Sequence, residues 1–346
     1  MTRILLTGGS GFVGQHLRRR LLDDGHFVVT FDLQRDPVEH PNLVALAGDI
    51  RDATALELAF QQYDVEVVLH CAAAVVSHAI RDSEFLHSTN VGGTRNVAQL
   101  AARHGVRKVV FISTCCLWRH SLGRPVTELD TPAPGEIYGR SKWEGEKILL
   151  DPKNQFSTVV LRSPTVVDSG RLGLFSILFE FIDEGKKIWV VGDGSNHHQF
   201  VSATDLVDAI VRAMDPARSG IYNVGSDNVP TLRQAYESVI QEAKTGARVA
   251  RLPRRTAVLI MRATFRLGIS PLGPYQYSMI AEDFLFDTTK IKRDMGWCPT
   301  SDNSTMLVEA YRHYRANRSE LYSRRDLSEH SQPSPLGVIR VLKWLS

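Results

Sequence analysis

The chain has few cysteines and no long apolar run, and these two absences exclude several classes of protein. No two of its four cysteines form a C-x-x-C pair, which argues against a zinc site and against a disulfide framework. A reducing cytosol fits this usage best. No stretch approaches the ~18 consecutive apolar residues of a membrane helix, and the opening run, which ends at Gly8, is too short for a signal peptide. We therefore expect a cytoplasmic protein without a transmembrane segment.

Net charge is also nearly absent. The 41 basic and 38 acidic side chains leave a charge of +3, which gives no electrostatic reason to expect nucleic acid as a partner. Hydrophobic residues make up 43% and charged residues 23% of the chain, which is an ordinary globular balance and excludes wholesale disorder. A length of 346 residues predicts one large domain or two intimate ones.

Two hydrophobic periods alternate along the first half. Short apolar runs predict strands at 3–7, 27–32, 43–49, 65–71, 108–113 and 157–167. Helical spacing between them predicts helices that include 53–63, 88–104 and 138–150. This alternation predicts an α/β fold with a Rossmann-type, doubly wound parallel sheet.

The pattern loosens after about Val167, which predicts a second unit. We expect a Rossmann domain over 1–167 and a smaller, mixed substrate lobe over 168–317, with parts of that chain free to return to the sheet. Residues 318–334 are polar and predict a mobile tail. The apolar segment Leu336–Leu345 carries two cations, and we expect it to dock on the body or on a dimer mate rather than to anchor the chain at a membrane surface.

A glycine-rich turn opens the chain, in the sequence Thr-Gly-Gly-Ser-Gly-Phe-Val-Gly. It follows a strand and begins a helix, which is the setting in which such a turn holds a dinucleotide. Bare backbone lets a pyrophosphate approach the helix N-terminus, where free N–H groups favour anions. The alternative is a tight turn without a ligand. The predicted cofactor-binding residues here are Gly8, Gly11, Phe12, Val13 and Gly14.

Two further positions predict contacts with the adenosine half of a dinucleotide. Asp32 ends the second strand, where a carboxylate binds ribose hydroxyls and repels a 2′-phosphate, so it favours NAD over NADP, although Arg35 weakens this preference. Asp49 and Ile50 follow the third strand and could meet the adenine. A helix cap for the segment from Asp52 explains Asp49 nearly as well.

Small residues follow the fourth strand. Cys71, Ala72 and Ala73 would let a flat cofactor lie close to the backbone, and Ala74 would lie near the substrate. Ordinary close packing would explain the same residues.

The second informative motif is Tyr138-x-x-x-Lys142, which places both side chains on one helix face. A tyrosine with its usual pKa of about 10 is a poor base at neutral pH. A nearby ammonium favours the phenolate and lowers that pKa. Ser113 and Thr114 end the fifth strand, and a hydroxyl there can hold the substrate oxygen while tyrosine moves its proton.

Together these segments resemble the extended short-chain dehydrogenases/reductases of the NAD-dependent epimerase/dehydratase type, over about residues 1–317. The motifs that carry the resemblance are the glycine turn, His70-Cys-Ala-Ala, Asn90-Val-Gly-Gly-Thr94, Ser113-Thr114, Tyr138-x-x-x-Lys142, Leu161-Arg162, Thr204-Asp205-Leu206 and Gly220-Ile-Tyr-Asn-Val-Gly225.

The resemblance implies a Rossmann fold, tightly held NAD(H) and a catalytic set of Thr114, Tyr138 and Lys142, with Lys142 also holding the cofactor ribose. Thr114 rather than Ser113 matches the catalytic hydroxyl, because it lies four residues before Trp118, where relatives usually have Tyr followed by Gly. Asn90 matches the position that supports the region of the catalytic helix.

Several positions depart from the family pattern. Cys115 and Cys116 replace the Asp-Glu pair of sugar 4,6-dehydratases, which disfavours dehydration. Arg162 is followed by Ser-Pro-Thr, which is closer to hydroxysteroid dehydrogenases than to nucleotide-sugar epimerases. His197 and His198 stand where relatives that act on nucleotide sugars tend to have Arg. The further predicted cofactor residues are Ser163, Pro164 and Thr165, and the further predicted substrate residues are Cys115, Cys116, His197 and His198.

We therefore expect reversible hydride transfer at a secondary alcohol carbon, with a nucleotide sugar as the leading substrate and NAD as the cofactor. One alternative is a hydroxysteroid-dehydrogenase-like or other carbonyl reductase. Another is a regulatory NAD-binding protein without activity, against which the intact Thr114, Tyr138 and Lys142 argue. A homodimer is expected, and no metal site, because His197 and His198 lack a third ligand at metal spacing.

Overall fold

A computed structural model gives the fold and describes residues 1–75, 82–170, 175–266 and 281–323. Its strands are β1 (Arg3–Thr7), β2 (Phe27–Asp32), β3 (Leu43–Ala47), β4 (Val67–His70), β5 (Lys108–Thr114), β6 (Ser157–Ser163), β7 (Thr165–Val167), β8 (Lys187–Val191), β9 (Phe200–Ser202), β10 (Gly220–Asn223) and β11 (Arg248–Leu252). Seven of them form one sheet in the order β10-β6-β5-β4-β1-β2-β3, and every pairing in it is parallel. All their carboxyl ends therefore meet at one edge.

Helices cover both faces of this sheet. Together with those of the smaller lobe, the helices of the described residues are α1 (Phe12–Asp23), α2 (Ala53–Tyr63), α3 (Ser83–His87), α4 (Gly93–Arg103), α5 (Ile137–Leu149), α6 (Phe175–Asp183), α7 (Ala203–Ala213), α8 (Leu232–Ala243), α9 (Arg254–Arg266), α10 (Thr289–Met295) and α11 (Asn303–Ser323). Leu17 of α1 and Leu206 of α7 bury against one face, and Phe60 of α2, Val97 of α4 and Leu149 of α5 against the other. The predicted doubly wound α/β fold is confirmed.

A separate apolar core holds the smaller lobe together. Phe179 of α6 packs its ring against those of Tyr311 and Tyr314 of α11, at centroid distances of 5.6 and 5.5 Å. All three side chains are buried, as is Val239 of α8. Two small parallel pairs, β8 with β11 and β7 with β9, complete this lobe.

The predicted strand over 157–167 is two strands in different sheets. Strand β6 ends at Ser163 and β7 begins at Thr165, where it pairs with β9 instead of the central sheet. Pro164 lies between them and has no N–H to donate to a sheet ladder. The chain therefore leaves the large sheet at this proline and enters the lobe.

The predicted division at residue 167 is not a clean boundary. Helix α7 packs on the large sheet and β10 pairs with β6, so parts of 168–317 return to the Rossmann unit. Asp205 joins α7 to a later segment of the chain. Its backbone oxygen accepts a hydrogen bond from Trp297 Nε1 at 2.9 Å, and its carboxylate accepts from Thr300.

The predicted polar tail is helical where it starts. Helix α11 continues to Ser323 through a kink at Asn317, so residues 318–323 are helical, and the mobility expected from residue 318 stays a prediction. Arg318 explains the continuation, because its guanidinium lies 3.6 Å from the Asp183 carboxylate and 6.0 Å from the centre of the Tyr314 ring. The apolar segment at 336–345 lies outside the described residues. Among the helices that the structure describes, none is both long and apolar enough to cross a membrane.

Candidate active site

The glycine turn lies at the carboxyl end of β1 and touches the end of β4. Gly8 has a φ of +76°, and a Cβ there would stand 2.7 Å from the backbone nitrogen of Ala72. A Cβ on Gly14 would overlap the carbonyl oxygen of Gly8. Helix α1 begins at Phe12 with Gly11 as its N-cap, so no side chain covers its first N–H groups. This end of the helix is suited to the pyrophosphate of a dinucleotide.

Two residues of this segment differ in exposure. Phe12 is buried in the core beneath the turn, with its ring edge-on to His16 at 5.1 Å. Val13 is half-buried at the start of α1. Of the two, only Val13 offers side-chain surface near the helix end.

Asp32 faces the glycine turn, as the sequence predicts for a ribose ligand. Its Oδ2 accepts a hydrogen bond from Ser10 N at 3.0 Å, and its Oδ1 lies 3.4 Å from Gln34 N. The side chain is half-buried. A carboxylate beside the phosphate-binding turn is placed to accept from both hydroxyls of an adenosine ribose.

Asp49 and Ile50 are held by neighbours of their own. The Asp49 carboxylate accepts from Arg51 Nε at 2.8 Å, and this guanidinium lowers the pKa of Asp49. Asp52, not Asp49, caps α2, since its carboxylate accepts from the first N–H groups of that helix. Ile50 is buried against Gly93, and Asn96 donates to its carbonyl oxygen at 2.9 Å.

The segment after β4 lies between the glycine turn and the helix that carries the predicted base. Burial raises the pKa of Cys71 to about 12, against the opposing effect of Lys142, so its thiol is neutral at physiological pH. Ala72 touches Gly8. Ala73 is half-buried and Ala74 is buried. The structure thus places this segment between Gly8, which Ala72 touches, and Asn90, which binds Ala74.

Asn90 links this segment to α5. Its Oδ1 accepts from Ala74 N at 2.7 Å, and its Nδ2 donates to Ala74 O and to Ser141 Oγ, both at 2.9 Å. Asn90 lies in a π-helical turn, Ser88–Gly92, a form that occurs most often as single turns at functional sites. With both amide donors used in these bonds, Asn90 joins the end of β4 to the start of α5.

Lys142 and Tyr138 lie one turn apart on α5. Lys142 is buried, and its Nζ stands 3.9 Å from the centre of the Phe111 ring. Burial lowers the pKa of Lys142 to about 8, while Cys71 and Glu146 act in the opposite direction. Tyr138 is half-buried at the first turn of the helix. The spacing places both side chains on one face of α5, and an ammonium near a phenol favours the phenolate.

The two hydroxyls at the end of β5 have different surroundings. Ser113 donates to the Glu146 carboxylate at 2.5 Å, on the face of the sheet covered by α5. Thr114 ends the strand, and its Oγ1 accepts from Cys116 N at 3.1 Å. Successive strand residues point to opposite faces, so Thr114 does not share the contact of Ser113 with Glu146. The catalytic role of Thr114 stays a prediction.

The predicted contacts after β6 lie next to Thr114. Ser163 pairs with Thr114 in the sheet, and its hydroxyl donates to the carbonyl oxygen of Pro164 at 2.9 Å. Thr165 begins β7 and pairs with Phe200. These residues therefore border the same edge as the predicted catalytic set.

The two adjacent cysteines differ in their packing. Cys115 belongs to a buried apolar cluster with Leu117, Trp118, Val126, Phe284 and Phe286. Cys116 is half-buried, and its carbonyl oxygen packs so closely on Gly139 that a Cβ there would overlap it. The backbone at Cys116 thus fixes the start of α5.

The two adjacent histidines are separated by the structure. His197 is exposed and its Nδ1 lies 3.1 Å from the Asp283 carboxylate. His198 is 3% exposed, and its ring lies 5.4 Å from that of Phe200 and 6.4 Å from that of Phe284. Burial lowers the pKa of His198 to about 4, and neither ring nitrogen has a partner within the described residues. His198 is therefore the member of the pair with unused hydrogen-bonding groups.

Sequence reasoning missed three polar residues around this centre. His70 is buried between the hydroxyls of Thr7 and Thr94, at 2.7 and 2.9 Å, and burial lowers its pKa to about 3. Glu146 and Arg162 form a buried ion pair behind Lys142. Glu146 follows Lys142 by one helical turn, and this spacing was the one available signal. Across the described ranges, no group of three or more His, Cys, Asp or Glu side chains is placed to hold a metal ion.

Comparisons with known proteins agree with this geometry. The profile of the NAD dependent epimerase/dehydratase family matches residues 4–225. An uncharacterized protein, y4nG, of Sinorhizobium fredii is 34% identical over 98% of this chain and 85% of its own length. A UDP-glucose 4-epimerase of Mycolicibacterium smegmatis is 32% identical over 68% of this chain and 81% of its own length.

Solved structures share the fold. The UDP-glucose 4-epimerase of Thermotoga maritima, solved with UDP-glucose, superposes with a TM-score of 0.75 at 24% identity and covers 92% of this chain and 100% of its own. The Bordetella bronchiseptica enzyme WbmG, solved with NAD and UDP, gives a TM-score of 0.73 at 22% identity, over 90% of this chain and 94% of its own.

The placement of Asp32 predicts that the protein discriminates against a 2′-phosphate. The apoprotein should bind NADH at least about tenfold more tightly than NADPH, a difference of about 1.4 kcal/mol. Asp32→Asn should reduce this ratio, because the repelling charge is lost, whereas Asp23→Asn on the surface of α1 should leave it unchanged. Titration of nicotinamide fluorescence measures all six affinities. Equal or tighter NADPH binding by the unmodified protein would contradict the prediction and point to Arg35.

Proposed function

Because this chain belongs to the NAD dependent epimerase/dehydratase family, we propose that it inverts the configuration of a hydroxyl-bearing carbon in a nucleotide sugar. Membership confirms the predicted family and NAD as its cofactor. The observation that supports the proposal is that the glycine turn and Thr114 lie at the carboxyl ends of β1 and β5, on one sheet edge. There Cys116 packs on the first turn of α5, the helix of Tyr138 and Lys142. The relatives named UDP-glucose 4-epimerase and, in Arabidopsis thaliana, probable UDP-arabinose 4-epimerase support a UDP-sugar and inversion at C4.

The residues present fit the cofactor. The uncapped start of α1 would receive the pyrophosphate, and Asp32 would bind the adenosine ribose. Lys142 would hold the nicotinamide ribose. When bound, NAD supplies an acceptor, and later a donor, for the hydride of the substrate carbon.

Each residue of the catalytic set then has one task. Tyr138 accepts the proton of the sugar hydroxyl as its carbon is oxidised to a ketone, and returns it after the sugar has turned its other face. Lys142 keeps the phenol acidic, and Thr114 donates a hydrogen bond to the substrate oxygen. Fixed donors aimed at a developing charge supply much of the rate in such sites. With Cys115 and Cys116 in place of a carboxylic acid pair, the site lacks acid–base groups for dehydration.

One observation favours a second function, the single oxidation or reduction of a non-nucleotide alcohol or ketone. Nucleotide sugars carry a diphosphate, which is usually held by cations. Here His198 is neutral and lies in an aromatic cluster, and Pro164 follows β6. Homodimer formation and a cytoplasmic location stay predictions under both functions.

Tyr138→Phe should abolish turnover and leave cofactor binding nearly intact. Only the oxygen that transfers the proton is lost, and general acid–base groups typically contribute about 10²–10⁴-fold. Lys142→Met should weaken both turnover and NADH binding, because the ammonium also holds ribose. Tyr63→Phe, at the far end of α2, is the matched control. Steady-state turnover and NADH titration measure both effects, and a Tyr138→Phe enzyme with near-normal kcat would refute the mechanism.

The two functions differ in the fate of the cofactor. An epimerase returns the hydride to the same substrate, so the protein should purify with bound nicotinamide and convert a sugar nucleotide without net change in NADH absorbance. A panel of UDP-, GDP- and dTDP-sugars, followed by steroid alcohols and small ketones, tests this. Stoichiometric NADH production or consumption with the second set, and no conversion of the first, would establish the dehydrogenase instead.

The unpartnered ring of His198 predicts a substrate contact. His198→Phe keeps an aromatic ring in the cluster but removes both nitrogens, so KM should rise about tenfold with little change in kcat, as expected for lost uniform binding. His197→Phe is the matched control on the exposed neighbour and should change KM by less than about twofold. Steady-state kinetics with the substrate found in the panel measures both. Equal effects at the two positions would rule out a specific role for His198.

A further inference from the structure

A buried carboxylate lies one helical turn beyond Lys142, and the proposed reaction does not use it. Tyr138, Lys142 and Glu146 follow each other at intervals of four residues along one face of α5. The Glu146 side chain is 2% exposed. An ionised carboxylate at this depth is costly unless it is paired and hydrogen-bonded.

Two neighbouring strands clamp this carboxylate. Arg162 of β6 donates from Nε to Oε1 at 3.1 Å and from Nη2 to Oε2 at 2.7 Å. Ser113 of β5 donates to Oε1 at 2.5 Å. Ser113 and Arg162 are register partners in the sheet, so both donors stand on a rigid support. A bidentate guanidinium fixes the carboxylate in position as well as in charge.

Few charged groups face Lys142. Burial lowers the pKa of Lys142 to about 8, and negative charge on Cys71 or Glu146 raises it. Because the pKa of Cys71 is about 12, its thiol is neutral at physiological pH. His70 faces Lys142 from β4 and is neutral, with a pKa of about 3. On β5, the uncharged Phe111 ring lies against Lys142. Of the two groups that can raise the pKa of Lys142, Cys71 is neutral, so Glu146 is the one that carries a negative charge.

We propose that Glu146 is a positioning residue, whose clamped carboxylate keeps the Lys142 ammonium charged and in place for Tyr138. This inference rests on the proposed function, because it assigns proton transfer to Tyr138 and Lys142. Arg162 and Ser113 hold the Glu146 carboxylate by hydrogen bonds. Glu146 in turn raises the pKa of Lys142. A neutral lysine would no longer favour the phenolate.

The sign of the effect follows from the charges. Loss of the Glu146 charge removes an attraction for the ammonium, so the pKa of Lys142 falls further. Lys142 then loses its proton at lower pH. NADH binding and turnover, which both need the ammonium, are therefore lost at lower pH as well. The alkaline limb of such a property should move toward acid by about one pH unit, the usual scale for a neighbouring charge.

The test is the pH dependence of NADH binding and of turnover in Glu146→Gln. We expect the alkaline limb of both to move to lower pH by about one unit, with up to about tenfold weaker NADH binding on the limb itself. Glu144→Gln is the matched control, because Glu144 lies on the same helix, is 44% exposed and pairs only with His87 among the described ion pairs. Its limb should stay at the position of the unmodified enzyme.

A second variant covers the case in which Glu146→Gln fails to fold with Arg162 left buried beside a neutral partner. Glu146→Gln with Arg162→Met removes both charges, and replacement of a whole buried pair is often tolerated. It should show an acid shift smaller than that of Glu146→Gln, because the repulsion by Arg162 is lost together with the attraction by Glu146. A folded variant of either kind whose limb does not move overturns the inference. If the NADH-binding limb moves but no sugar nucleotide is converted by the unmodified enzyme, the inference stands and the proposed substrate fails.

Discussion

The close approach of two backbones, Gly8 after β1 and Ala72 after β4, is the constraint around which the site is built. The strand order reverses between β1 and β4, and a parallel sheet opens a crevice at the carboxyl edge where its order reverses. Any side chain at Gly8 would strike Ala72, and its φ of +76° is one that L-residues rarely adopt. One chain segment can therefore turn toward β2 and Asp32 while the other turns toward Asn90 and α5.

Placement of the catalytic helix depends on contacts of the same kind. Gly139 lets α5 begin against the carbonyl of Cys116, and Gly145 lets the same helix pack on the Phe111 ring. Asn90 then ties the end of β4 to Ser141. Three contacts of α5, at Gly139, Ser141 and Gly145, thus fix the position of this helix relative to β5.

Much of the fold could be predicted from the sequence, because its signals are local. The bounds of α2 and of β2 coincide with those predicted, since apolar spacing and flanking turns mark both. Pro164 is a signal for a break between two strands, but the apolar residues on both sides of it led to the prediction of one strand over 157–167. The π turn at Asn90 could not be predicted, because one extra residue in a helical turn leaves the hydrophobic pattern nearly intact. The Glu146–Arg162 pair joins residues 16 positions apart on a helix and a strand, and only tertiary structure brings them together.

Burial keeps three titratable groups around the predicted site uncharged. His70 and His198 are neutral because burial lowers their pKa values to about 3 and about 4, and Cys71 is neutral because burial raises its pKa to about 12. Arg162 is balanced by Glu146. The Lys142 ammonium lies one helical turn from Tyr138 and is buried, in surroundings of low polarizability where its field is poorly screened. Burial lowers the pKa of this ammonium, and it also strengthens the field that the ammonium exerts. The clamped Glu146 carboxylate, one turn away, opposes the fall in pKa.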